Sequence, residues 1–165
     1  MIYFSYGSNM CTGRLRVRVP SANPSFAAKL ANYRLRFHKR SADGSGKANA
    51  YYTGDVNDSV WGVVFQISEE EKPELDRAEG LGSGYDERPV TVIDTQGQAH
   101  EVFTYTASSN AIDENLRPYG WYKRFVKEGA KQHRLPEDYL RTIEAQEEIV
   151  DPDRERDARK RRITC

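Results

Sequence analysis

Tyr3-Phe4-Ser5-Tyr6-Gly7-Ser8-Asn9-Met10 begins apolar, breaks at a glycine and passes through two residues that favour helix N-caps. It reads as a strand that stops in a glycine loop and enters a helix from Asn9 to about Val17, weakened by Gly13 and closed before Pro20. Such a loop exposes successive backbone N–H groups, and a helix start adds unpaired donors at the positive end of its dipole. It can hold an anion. Tyr6 to Asn9 also suits an ordinary strand-to-helix turn, with Gly7 giving backbone freedom and Asn9 a cap.

Moving outward, the apolar period changes. Tyr33, Leu35 and Phe37 alternate with Arg34, Arg36 and His38, so Phe26 to Lys39 reads as one strand with a wet face. Ala48–Tyr52 and Val60–Ile67 are two more, the latter apolar enough to be buried on both faces. Ser68-Glu69-Glu70-Glu71 has the form of a capping box and opens a helix towards Glu79, with Pro73 near its start and Gly80 as its stop. Arg88–Asp94 and Ala99–Thr106 flank Thr95–Gln98 as a hairpin. Pro118 and Leu135-Pro136-Glu137-Asp138 mark two further helix starts. The order is strand, helix, three strands, helix, two strands, two helices. That is not the strict alternation of a doubly wound sheet, so the expected class is α+β with a largely antiparallel sheet that can close on itself.

Composition narrows the function classes. The chain has 165 residues, which suits one domain, and 25 basic residues balance 25 acidic ones. No global charge argues for nucleic acid or an anionic membrane as a partner. Met1-Ile2-Tyr3-Phe4 lacks a basic leader and no run reaches membrane-spanning length. Only two cysteines, Cys11 and Cys165, are present, which argues against a disulfide framework and, with the missing leader, for a reducing cytoplasm. Cys11 as a nucleophile lacks an activating base nearby in sequence. His38, His100 and His133 show no metal-ligand spacing, so no metal site is expected. Arg14, Arg34, Arg36 and Arg88 read as surface charges. Residues 1–150 form the expected domain. Residues 151–165 alternate acids and bases and read as a solvated or disordered tail.

Glu79 is the second decisive position. A carboxylate in the last turn of a helix faces the negative end of the dipole, a poor place for a charge, and the glycine-dense stretch Gly80–Tyr85 follows it. Alone it is also compatible with one more solvated acid. Taken together, Tyr6-Gly7-Ser8-Asn9, Val60-Trp61-Gly62-Val63-Val64, Leu75-Asp76-Arg77-Ala78-Glu79-Gly80, and Gly129-Ala130-Lys131 followed by Leu135-Pro136-Glu137-Asp138-Tyr139 closely resemble the γ-glutamylcyclotransferase family. The resemblance spans Met1 to about Ile149. It implies a small mixed, largely antiparallel β-barrel flanked by helices. It also implies a cofactor-free enzyme that converts a γ-glutamyl peptide or amine to 5-oxoproline and the free amino acid or amine. By the same resemblance Glu79 is the catalytic acid/base, the substrate loop is Tyr3, Phe4, Ser5, Tyr6, Gly7, Ser8 and Asn9, and Tyr105 and Tyr122 approach the pocket. The two outlying tyrosines equally suit core aromatics with satisfied hydroxyls. The expected partner is the small γ-glutamyl substrate, with no nucleic acid or membrane, and the chain is expected as a monomer or weak homodimer. The alternative is a non-catalytic module for a small carboxylate or a peptide end. Such a module has no need of Glu79.

Overall fold

The computed structural model describes residues 1–165. Seven strands and five α-helices run in the order β1 (Ile2–Ser5), α1 (Thr12–Arg16), β2 (Asn23–Ala31), β3 (Tyr33–Arg40), β4 (Gly46–Tyr52), β5 (Ser59–Gln66), α2 (Lys72–Glu79), β6 (Tyr85–Asp94), β7 (Ala99–Ala107), α3 (Gly120–Gln132), α4 (Glu137–Glu144) and α5 (Arg154–Arg161). Five strands close into a barrel ordered β1-β5-β2-β6-β7, and β3 pairs only with β4 as a separate ribbon. All barrel pairs are antiparallel except β1 with β7, which meet in parallel at Tyr3 and Phe103. The fold is therefore α+β with a mixed, largely antiparallel barrel.

The most apolar strand, β5, lies between β1 and β2, as its buried run Val63-Val64-Phe65 requires. Gly62 is necessary there: a Cβ would fall 2.7 Å from the Phe4 ring and closer still to the Ser5 carbonyl. Helix α3 presents Trp121, Tyr122, Phe125, Val126, Gly129 and Ala130 as one buried face. It packs on the 3-10 turn Ser8–Met10, and at Gly129 the approach is so close that a Cβ would sit 2.5 Å from the Cys11 nitrogen. The glycines of the Val-Trp-Gly and Gly-Ala-Lys motifs thus hold β1 and the turn behind it in place.

Four sequence expectations need correction. The strand Phe26–Lys39 is two strands, because Asn32 takes a left-handed conformation (φ 69°) that turns the chain from barrel into ribbon. The helix from Asn9 is interrupted: Ser8–Met10 is a 3-10 turn, Cys11 is extended, and α1 begins only at Thr12. The tail beyond residue 150 is an ordered strap. Buried Asp151 accepts from Trp121 Nε1 at 2.8 Å and from Arg156 Nε at 2.7 Å, Asp153 caps α5, and Arg124 Nη2 donates to the Ile163 carbonyl at 2.9 Å. The Arg156 guanidinium holds the Asp151 carboxyl well below the usual carboxylate range. Finally, the strap returns to α1, where the Gly13 N–H donates to the Cys165 carbonyl at 3.2 Å and Cys11 and Cys165 form a disulfide, Cα to Cα 4.7 Å. Charged residues outnumber apolar ones in the strap, yet its anchors are a buried ion pair and a covalent bond. No helix is long and apolar enough to cross a membrane.

Candidate active site

Period-two alternation in β1 sends Tyr3 and Ser5 to one face and Phe4 to the other. Tyr3 and Ser5 line a small pocket, and the loop adds Tyr6, Gly7, Ser8 and Asn9. Phe4 does not reach it; its side chain is wholly buried in the barrel core, so its expected place in the substrate loop is corrected to a packing role. Ser68 accepts from the Glu70 N–H and Pro73 stands in the first turn of α2, whose far end stops at Gly80 in the left-handed region (φ 72°). That stop leaves Glu79 against the pocket with its side chain 17 % exposed. Tyr105 and Tyr122 also line it, joined by Ala48, Tyr85 and Thr104.

Asn9 and Glu79, separated by 70 positions, form the central contact: Asn9 Nδ2 donates to Glu79 Oε1 at 2.6 Å and stands 3.4 Å from the Tyr3 hydroxyl. Arg18 Nη1 donates to Asn9 Oδ1 at 3.1 Å and lies 3.4 Å from the same Glu79 oxygen. Oε2 of Glu79 has no partner in the chain. Nor do the backbone N–H groups of Gly7, Ser8 and Asn9, which leaves three consecutive donors unspent beside a carboxylate.

The tyrosine hydroxyls are spoken for. The Tyr6 hydroxyl donates to the Tyr105 carbonyl at 2.5 Å, that of Tyr85 donates to the Ala48 carbonyl, and that of Tyr122 accepts from the Ala48 N–H at 3.0 Å. Tyr105 donates to Asp76 Oδ1 at 2.6 Å. Burial pushes the phenols of Tyr3, Tyr6, Tyr85, Tyr105 and Tyr122 above their ordinary range, so they serve as neutral groups. Sequence reasoning missed Arg18 and Tyr85. Tyr85 ends the glycine stretch after Glu79 and is the one aromatic residue there; nothing local marked Arg18. Arg14 is not a surface charge either: it is buried, its guanidinium lies 4.6 Å from the Phe125 ring centre, and burial with Arg18 nearby pushes it down to about 10.

The pocket holds only about 30 Å³, room for a water or two. A far larger groove of about 1230 Å³ runs between the β3–β4 ribbon and the barrel, but it contains neither Glu79 nor the loop amides. Chemistry rather than size identifies the candidate site.

Comparison with known proteins bears on the same elements. The AIG2-like family profile matches residues 59–143, from β5 through the Glu79 helix to α4. γ-Glutamylcyclotransferase of Bos taurus is 31% identical over 150 residues, covering 86% of this chain and 76% of the relative. That of Homo sapiens is 31% identical over 152 residues, with 87% and 77% covered. A solved structure described as γ-glutamyl cyclotransferase superposes with a TM-score of 0.86 at 28% identity, covering 98% of both chains. The yeast cyclotransferase described as specific to glutathione, at 13% identity and a TM-score of 0.62, shares the fold alone. With relatives 31% identical over 86% and 87% of the chain and a solved structure that superposes over 98% of it, this protein belongs to the γ-glutamylcyclotransferase family.

Proposed function

We propose that the protein is a γ-glutamyl cyclotransferase that converts a γ-glutamyl peptide or amine to 5-oxoproline and the free amino acid or amine. The observation that carries this reading is the Glu79 carboxylate, with Oε1 held by Asn9 from the loop and Oε2 left without a partner. The substrate's own α-amine attacks its γ-carbonyl. One C–N bond forms, the bond to the leaving nitrogen breaks, and no water is consumed. Because the attack is intramolecular, the protein's task is to fold the substrate into attack geometry, and effective molarities for such closures are large. Glu79 takes the ammonium proton and returns it to the leaving nitrogen, so a single carboxylate serves as base and then acid.

Tyr3, Ser5, Tyr6, Gly7, Ser8 and Asn9 form the substrate cradle, with Tyr105 and Tyr122 as walls. The free N–H groups of Gly7, Ser8 and Asn9 suit either the α-carboxylate or the developing negative charge on the carbonyl oxygen. Entry requires the pocket to widen, and the Gly80–Gly84 segment that joins Glu79 to Tyr85 of its lining carries left-handed glycines at 80 and 82, where a Cβ would meet no neighbour.

The test is 5-oxoproline release from a panel of γ-glutamyl peptides and amines by wild type and Glu79→Gln. The expected result is product from at least one compound and a loss of about 100-fold or more in kcat for the variant with its circular dichroism unchanged. Binding of the compounds without product supports the non-catalytic module instead. Product formation indifferent to Glu79→Gln assigns the base elsewhere.

A further inference from the structure

Arg18 follows α1 and is three-quarters buried, yet it makes no use of its guanidinium except at two atoms: Asn9 Oδ1 at 3.1 Å and Glu79 Oε1 at 3.4 Å. A side-chain amide has an acceptor end and a donor end, and a guanidinium only donates. Arg18 therefore fixes which way the Asn9 amide faces. With Oδ1 taken by Arg18, Nδ2 must point at Glu79. Without Arg18 the amide is free to turn, and the turned form sets Oδ1 against a carboxylate oxygen, lone pair to lone pair. The guanidinium also adds a positive charge beside Oε1 only, which makes the two carboxylate oxygens unequal. Both contacts converge on Oε1, and Oε2 has none.

We infer that Arg18 is a positioning residue for the cyclisation, orienting the Asn9 amide and pinning Oε1 of Glu79 so that Oε2 is the oxygen that exchanges protons with substrate. The role rests on the cyclotransferase reading. It concerns chemistry rather than binding, because Arg18 does not line the pocket and meets the substrate only through Asn9 and Glu79. Its loss therefore falls on kcat. Asn9 and Arg18 act on one oxygen, so their losses cannot multiply.

The experiment is steady-state kinetics of 5-oxoproline release for wild type, Arg18→Met, Arg18→Lys, Asn9→Ala and the double variant Arg18→Met/Asn9→Ala, with the fold of each followed by circular dichroism. Arg18→Met is expected to lower kcat on the order of 10- to 100-fold with KM within about threefold, less than the roughly 100- to 1000-fold cost of losing a donor in direct contact with the developing charge, because Arg18 acts through Asn9 and Glu79. Arg18→Lys, which still donates to Oδ1, recovers most of kcat. The double variant is no slower than the worse single one. Methylguanidinium added to an Arg18→Ala variant restores turnover in a saturable manner, which a purely structural defect does not permit. Arg18→Met turning over within about threefold of wild type overturns the proposal, as does a double variant whose loss is the product of the two single losses. A wild type that releases no 5-oxoproline from any substrate overturns the cyclotransferase reading itself, and the role of Arg18 falls with it.

Discussion

Cutting the Cys11–Cys165 bond gives the sharpest test of the strap. The bond closes a loop of 154 residues, so it bridges nearly the whole chain. In the chain-entropy description the unfolded state loses about 2.1 + 1.5R ln n cal/mol/K on cross-linking, which for this loop comes to about 5 kcal/mol at 25 °C. That figure is a ceiling. In Cys165→Ser the strap still has the Asp151–Arg156 pair, the Trp121 contact and the Arg124 bonds to the Lys160 and Ile163 carbonyls, but its last residues fray from Gly13. The expected destabilisation is therefore about 2 to 5 kcal/mol, read as a lower denaturation midpoint in urea for Cys165→Ser and for the reduced wild type against the oxidised wild type. The two treatments must agree, since each removes the same cross-link. Thiol labelling under denaturing, non-reducing conditions supplies the control: the oxidised protein takes no label. A difference below about 0.5 kcal/mol between oxidised and reduced protein refutes the reasoning, because a loop of this length cannot be cut for so little unless the denatured chain already holds its ends together.

Two further outcomes follow from the packing and from the strap. Gly129→Ala places a methyl 2.5 Å from the Cys11 nitrogen and 2.7 Å from Met10 Cβ, and both neighbours belong to the turn behind the loop. Overpacking of this sort costs about 1 to 3 kcal/mol, and here it also displaces Asn9; a drop in midpoint without any loss of kcat counts against the coupling of α3 to the site. Asp151 carries the pH prediction. Its folded carboxyl is held below the unfolded value by Arg156, so the stabilisation it supplies is fully present above the ordinary carboxylate range, near 3.9, and is lost as pH falls below that range. In Cys165→Ser, Trp121 fluorescence should report a docked strap at pH 5 and its release only in stronger acid, whereas Asp151→Asn should lack that transition; release already at pH 5 in Cys165→Ser contradicts the assignment.

Much of the barrel was legible because its signals are local. The double-sided apolar run of β5, the N-cap at Ser68 and the glycine stop at Gly80 each declare their element within a few residues, although Glu71 accepts from Ser21 rather than closing the expected capping box, and the helix stop at Gly80 places Glu79 at the α2 terminus. What escaped depended on a single residue or on distance. One left-handed Asn32 divides an otherwise continuous alternating pattern, and although asparagine favours that conformation over a strand, a single such residue is a weak signal against the alternation on both sides of it. Phe4 was misassigned by treating a loop motif as one unit, although period-two alternation alone opposes it to Tyr3 and Ser5. The strap's order rests on Asp151 finding Trp121 and Arg156 in three dimensions, and the cysteine pair on a contact 154 residues apart. Arg18 reaches Glu79 across 61 positions, a distance that no motif spans.

The hydroxyls of Tyr85 and Tyr122 bear on more than the pocket. They occupy the carbonyl and N–H of Ala48, on the side of β4 that has no neighbouring strand, and Asn49 Oδ1 takes the Ala107 N–H across the same gap. An open strand edge is a template for another chain's strand, and proteins blunt it by covering or distorting it. Here phenols do the covering, at the residue that is also pocket wall. Phenylalanine at either position keeps the ring and the wall but bares a backbone group of β4, so the pocket's shape and the protection of the strand edge rest on the same two residues, the first on their rings and the second on their oxygens.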